Sequence, residues 1–201
     1  LVRRIYPDVP AVFIDTGLEY PELREFVKTI PNVTWLKPKM NFRKVIQTYG
    51  YPLISKEVAQ KIYDSRKKPD GAIAARFDDN SEYNKKYGKR YSMSKWTWLK
   101  ESDIPISHMC CVVMKKKPAT KYAKESKNKP IIATMACESI LRKTNWIRNG
   151  CNSFDGNRPV SQPMSFWTEQ DVLRYLKEFN IPYASVYGEI KQDENGKYYT
   201  T

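Results

Sequence analysis

The residues Pro10-Ala11-Val12-Phe13-Ile14 form a short, continuous apolar run that ends at the turn tripeptide Asp15-Thr16-Gly17. A continuous run, rather than an alternating one, reads as a strand covered on both faces, the kind built into parallel sheets. Pro21-Glu22 then opens a helix predicted to reach about Ile30. Proline suits the first helical position, and an acid suits the positive end of the helix dipole. Asn32-Val33-Thr34-Trp35-Leu36 reads as the next strand, and Pro130-Ile131-Ile132-Ala133-Thr134 as a further one. Strands alternating with helices predict an α/β fold, a parallel sheet with helices on both faces. In such a Rossmann-like fold a ligand sits beyond the carboxyl ends of the strands, where Asp15 lies.

Helices are also predicted over Phe42 to Tyr49 and from Ser55 to about Lys68, with Ser55 as N-cap and Val58, Ile62 and Tyr63 on one face. A short helix is expected from Pro118 to about Lys127. Thr168-Glu169-Gln170-Asp171 has the form of a capping box and starts the clearest helix, striped by Val172, Leu173, Leu176 and Phe179 and ending near Asn180. Glu194-Asn195-Gly196-Lys197 is a hairpin turn signal. The chain 1–201 reads as one domain, core part only. Residues 1–68 and 104–187 are expected to form the α/β core, and 69–103 an irregular aromatic-basic insertion mixing helix with loop.

Lys and Arg number 35 against 22 Asp and Glu, a net charge of +13. That excess favours anionic partners, whether a nucleotide, a sulfonucleotide or a nucleic acid, although a basic face that is simply solvated gives the same count. Hydrophobic residues at 41% allow a core, and aromatics at 13% argue against disorder. No run approaches the roughly 18 apolar residues of a membrane span, so no membrane partner is expected. Without a secretion signal the expected location is cytoplasmic. The chain begins Leu1-Val2-Arg3-Arg4 without a Met and ends in Tyr198-Tyr199-Thr200-Thr201, so it is read as truncated at both ends.

Three groups of residues carry candidate chemistry. Asp15-Thr16-Gly17 offers a carboxylate for a ribose or adenine group and a glycine that lets backbone approach a ligand, or it is an ordinary strand-to-helix turn. Cys110-Cys111, followed by Lys115, Lys116 and Lys117, is either a pair of metal or cluster ligands or two packed thiols; the lysines are expected to help hold the pair as thiolates. His108 reads as a loop histidine. Glu138-Ser139 with Arg142, Lys143, Arg148 and Arg158 gathers cations, and arginine grips phosphate or sulfate in a bidentate fashion. The same cations also suit a basic helix face. Cys137 and Cys151 complete the cysteines, with a spacing unusual for a four-thiolate set.

Val12-Phe-Ile-Asp-Thr-Gly-Leu-Glu-Tyr-Pro-Glu22 resembles the "Val-Asp-Thr-Gly-x-x-Phe-Pro-Glu" segment of the phosphoadenosine-phosphosulfate (PAPS) reductase family. Cys110-Cys111 with Lys115 or Lys116 and Pro118 resembles that family's "Cys-Cys-x-x-x-Lys-x-x-Pro" segment. Glu138-Ser139-x-x-Arg142 and Phe166-Trp167-Thr168-Glu169-Gln170-Asp171-Val172 resemble two later segments, so the likeness runs from about Pro10 to Tyr187. The resemblance implies a PP-loop nucleotide-binding fold and an adenine nucleotide (PAPS, APS or ATP) held by Asp15, Thr16, Gly17, Glu138, Ser139, Arg142, Lys143 and Arg158. It implies Cys110 and Cys111 as ligands of a [4Fe-4S] cluster. It places the phosphate loop, a later Cys-x-x-Cys and the catalytic nucleophile outside this chain, so the fragment itself is expected to be inactive. The reaction implied is thiol-dependent reduction of an adenine sulfonucleotide in sulfur metabolism, with a thioredoxin-like reductant. The alternatives are ATP-dependent adenylylation with sulfur transfer to a nucleic acid, of the phosphorothioation or thiolation type, and a basic nucleic-acid-binding module without catalysis.

Overall fold

A computed structural model describes residues 1–154 and 159–201. A single helical turn, α1 (Val2–Ile5), precedes strand β1 (Ala11–Ile14), helix α2 (Pro21–Thr29) and strand β2 (Val33–Leu36). Pro21 occupies the start of α2 and Glu22 its first turn, as their chemistry predicts. β1 and β2 pair in parallel through the α2 crossover, and the Asp15 N–H donates to the Leu36 carbonyl at 2.9 Å. The chain is therefore a mixed α/β protein with a parallel pair at its amino-terminal end.

The predicted third strand differs. Residues 130–134 make one isolated parallel bridge, Ile131 to Ser161, and Ile131 and Ile132 are exposed. Proline at 130 has no N–H to give, and the neighbouring strand is only two residues long, so no ladder extends along the run. Among the described residues every sheet has two strands.

The chain divides into two compact units. One comprises residues 14–18 and 35–119. Its helices are α3 (Phe42–Tyr49), α4 (Lys56–Lys67), α5 (Ala72–Ala75), α6 (Glu82–Tyr87), α7 (Thr97–Glu101) and α8 (Met109–Cys111). A π-helical turn, Val112–Lys116, continues α8 into α9 (Lys117–Ser126). The Asn41 side chain caps α3 and Ser55 caps α4, accepting from the Val58 N–H at 3.2 Å. Val58, Ala59 and Ile62 of α4 pack with Phe77, Met93, Leu99 and Ile106, so segment 69–103 contributes directly to this core. A second cluster joins Val45 of α3 to Val113 and Met114 of the π turn.

Two devices fix the backbone of this unit. Arg66, in the last turn of α4, donates to the carbonyls of Leu99, Lys100, Ser102 and Ile104 at 2.7–2.9 Å. Those groups include carbonyls left orphaned at the end of α7. Beyond them the Tyr51 N–H donates to the Pro105 carbonyl at 2.7 Å, and the Ser107 N–H returns to the Tyr51 carbonyl at 3.0 Å. This crossing requires glycine at 50. Its φ is +98°, and a Cβ there would lie 2.3 Å from the Pro105 oxygen.

The other unit comprises residues 1–13, 19–34 and 120–201. It holds α10 (Ile140–Asn149), β3 (Asn152–Ser153), β4 (Val160–Ser161), α11 (Glu169–Glu178) and the antiparallel hairpin β5 (Ile190–Gln192) and β6 (Tyr198–Thr200). Arg3 clasps the carbonyls of Val9, Pro31 and Asn32. The predicted capping box of α11 is present, Thr168 accepting from the Asp171 N–H and Asp171 from the Thr168 N–H. The predicted hairpin turn is present too, with Asp193 bonding the N–H groups of Asn195 and Lys197. Gln170 of α11 pairs with the backbone N–H and C=O of Tyr198, both at 2.8 Å, and so ties helix to hairpin. Among the described residues here the buried apolar ones are few, Val27, Ala136, Ala184 and Ile190, while Ile140 and Leu141 of α10 are 84% and 83% exposed.

Replacing the Arg66 guanidinium by an apolar side chain, Arg66→Met, strands several carbonyls at once. The expected cost is about 1.5–3 kcal/mol, the range for a hydrogen bond to a charged group. Urea denaturation of parent and variant measures it, and an unchanged midpoint would contradict the role assigned to Arg66.

Candidate functional site

Asp15 and Thr16 follow directly from β1 and are only 6% and 7% exposed. The Gly17 N–H donates to Asp15 Oδ1 at 3.1 Å, and the Leu18 N–H to Thr16 Oγ1 at 3.3 Å. Gly17 adopts φ +77°, and a Cβ there would meet nothing within 4 Å, so the glycine is needed for its conformation and leaves open space beside the backbone. Two buried polar side chains at the carboxyl end of a parallel strand occupy the position where α/β folds hold ligands.

Cys110 and Cys111 lie on α8, immediately before the π-helical turn. Such turns are uncommon and recur at functional sites. Cys110 is half-buried and packs against the Val45, Val113 and Met114 cluster. Burial, and then the neighbouring Cys111, push the Cys110 thiol above the usual cysteine range. Loss of solvation, which disfavours the charged form, is the largest influence on that thiol. Lys116 acts on His108, the residue preceding α8. Burial lowers the pKa of His108, with Asp64 opposing and Lys56, Lys116 and Lys67 reinforcing the shift. The His108 ring stands edge-on to Tyr63 at 5.5 Å, and Lys67 Nζ lies 4.4 Å from the centre of the Tyr63 ring.

A four-thiolate cluster needs donors beyond this pair. Cys137 and Cys151 belong to the other unit, and among the described residues no three His, Cys, Asp or Glu side chains gather into a metal-binding group. The two consecutive thiols fit half of such a donor set.

In the unit formed by residues 1–13, 19–34 and 120–201, Glu138 ends a 3₁₀ turn (Ala136–Glu138) and accepts from the Met135 N–H at 2.9 Å. Its carboxylate also forms an ion pair with Arg142, one turn along α10. The Ser139 hydroxyl caps α10 by accepting from the Arg142 N–H at 3.2 Å. Lys143 is exposed, as are Arg148 and Cys137. The Cys137 Sγ lies 3.5 Å from the Trp167 carbonyl. Arg158 lies outside the described residues. The expected binding residues are thus divided: Asp15, Thr16, Gly17, Cys110 and Cys111 in one unit, and Glu138, Ser139, Arg142 and Lys143 in the other.

One cleft escaped the sequence reading. Phe166, Trp167, Asp171, Arg174, Tyr175 and Glu178 line a hollow of about 330 Å³ along α11. The Arg4 guanidinium lies 4.3 Å from the Phe179 ring centre and donates to the Tyr175 hydroxyl at 2.6 Å. Trp167 meets Tyr175 edge-on at 5.4 Å. The signal was the Tyr175/Phe179 pair at i, i+4, which places both rings on one helix face, but nothing local points to Arg4 as their partner.

The hydrogen bonds from the Thr168 N–H and hydroxyl hold the Asp171 carboxyl below its ordinary value of 3.8. A carboxylate favoured by the fold contributes stability above the ordinary pKa and loses it as pH falls through the folded one. Asp171→Asn should therefore be less sensitive to acid between about pH 5 and pH 2 than the parent. Thermal melts across that range check it, and identical acid limbs would refute the assignment.

Neither a scan of protein-family models nor a search of curated proteins finds a match to this chain.

Proposed function

We propose that this chain is the core of an adenine-nucleotide-binding enzyme of the PAPS-reductase type, acting in the cytoplasm on a sulfonucleotide with a thioredoxin-like reductant. The observation that carries the reading is the β1–Asp15-Thr16-Gly17–α2–β2 unit, a parallel pair with two buried polar side chains at the carboxyl end of its first strand. The finer fold proposed is a PP-loop parallel sheet, helices on both faces, of which β1 and β2 are two strands.

In this reading Asp15 accepts from a ribose hydroxyl or the adenine amino group, one of its oxygens being already oriented by the Gly17 N–H. Arg142 and Lys143 hold phosphate or sulfate. Arg142 would exchange Glu138 for the ligand, and the exchange costs little because an exposed ion pair is worth roughly 0–1 kcal/mol. A thiolate, supplied from outside these residues, attacks the sulfonucleotide sulfur. A sulfur–sulfur bond forms, the sulfur–oxygen bond to the phosphate breaks, and the adenosine phosphate leaves with the electron pair. Cys110 and Cys111 would supply two of the four thiolates that hold a [4Fe-4S] cluster.

Calorimetry of the protein with PAPS, APS and ATP tests the reading. One of the three should bind, and Arg142→Ala should weaken it by about 1.5–3 kcal/mol. Binding of ATP alone would move the assignment to the adenylylating alternative, and no binding of any would end it. Iron and sulfide analysis after anaerobic purification should show about one cubane per chain, lost in Cys111→Ser. An iron-free, folded protein would leave the cysteine pair as core packing.

A further inference from the structure

From Glu82 to Lys100 the chain carries six Lys or Arg, one acid and five Tyr or Trp in nineteen residues. The segment is held firmly. Arg76 Nε donates to the Tyr91 carbonyl at 2.7 Å, and the Met93 N–H donates to the Arg76 carbonyl at 2.7 Å. Thr97 Oγ1 donates to the Phe77 carbonyl at 2.6 Å, and Met93 and Leu99 are buried in the core around Ile62. On this fixed backbone the rings of Tyr87, Tyr91 and Trp98 stay in water, Trp98 at 62% exposure.

Cations lie beside the rings. Lys86 Nζ is 5.4 Å from the centre of the Tyr87 ring, the Arg90 guanidinium 6.0 Å from Tyr91, and Lys95 Nζ 5.3 Å from Trp96. Three acids in or near the segment have local partners. Glu82 pairs with Lys85 at 3.2 Å, Asp78 accepts from the Asn80 N–H, and Asp79 accepts from the Ser92 hydroxyl at 2.7 Å. An isolated exposed aromatic is ordinary on a protein surface. Exposed rings interleaved with Lys86, Arg90 and Lys95 on a hydrogen-bonded backbone match what a single strand presents, unpaired bases with π faces alternating with phosphates.

We propose that segment 82–100 is a docking surface for single-stranded nucleic acid, its bases stacking on Tyr87, Tyr91 and Trp98 and its phosphates meeting Lys86, Arg90 and Lys95. A duplex keeps its bases stacked within the helix, so their π faces are closed to the rings. The surface does not depend on the nucleotide reading.

Fluorescence anisotropy with labelled oligothymidylate, oligouridylate and a DNA duplex, without nucleotide, tests the proposal. Single strands should bind more tightly than the duplex, and affinity should fall steeply between about 50 and 200 mM salt. Trp98→Ala and Tyr91→Ala should each weaken single-strand binding by about tenfold, within the range of one base–aromatic stack, and Tyr91→Phe should retain it. Lys86→Glu with Arg90→Glu should weaken binding and flatten the salt dependence. Trp98 and Tyr91 are exposed, so circular dichroism and melting should match the parent, and Tyr91→Phe guards against a fold defect in the alanine variant. Unchanged affinity in both alanine variants, equal binding of the duplex, or binding to phosphatidylserine vesicles without binding to the oligonucleotides would overturn it. Excess ATP or APS should not displace the oligonucleotide. Displacement would place the strand in the nucleotide site and overturn the separate surface, whereas failure of the nucleotide reading leaves this result untouched.

Discussion

The guanidinium of Arg66 holds together the unit formed by residues 14–18 and 35–119. It gathers four carbonyls from the stretch that ends α7 and leads to Ile104. A planar fork with five donors suits converging carbonyls better than an ammonium does. The chain that leaves this clasp crosses Tyr51 over Gly50, then places His108 and the two cysteines at the start of α8. The position of the candidate ligand pair thus depends on one side chain about forty residues away and on one glycine that admits no Cβ.

Local chemistry made some elements legible. Pro21 at the start of α2, Ser55 ahead of α4, the Thr168/Asp171 box and the Asn195-Gly196 turn each solve a short-range hydrogen-bonding or conformational problem, and each is found where the sequence puts it. Long-range features were not legible. Residues 130–134 have a strand's composition, but a strand forms only where a neighbour completes its ladder, and here one two-residue partner is present. The helices within 69–103 depend on Asn84, whose amide donates to the carbonyls of Ala75, Arg76 and Asp78 and closes the end of α5. Nothing in an Asn at position 84 announces that role.

The candidate site was legible in kind but not in its pairings. Asp15-Thr16-Gly17 follows its strand as predicted, because strand, turn and helix start are encoded contiguously. The partners of the charged residues are not. Arg142 meets Glu138 one turn away, a pairing that i, i+4 spacing allows but does not require. Cys110 shows the same limit: three lysines follow it in sequence, whereas on α8 it packs against the Val45, Val113 and Met114 cluster, and burial is the largest influence raising its pKa. A metal ion reverses that balance by direct coordination, since a ligating thiol gives up its proton to the metal.

Charge links the two proposed uses of the molecule. Cations exceed acids by 13, and the Lys28–Glu25, Lys121–Glu125 and Arg174–Glu178 pairs are exposed, each of little worth. A surplus of one sign destabilises the compact state through self-repulsion. Few apolar residues are buried in the unit that holds α10, so its margin against that repulsion is small. Any anion that binds the folded form and not the unfolded one lowers the repulsion and stabilises the fold by mass action. A small nucleotide neutralises only the cations it touches, whereas a single strand neutralises a row of them. The stacking platform in segment 82–100 therefore turns the basic surplus from a cost to folding into the attraction that brings a polyanion to the surface.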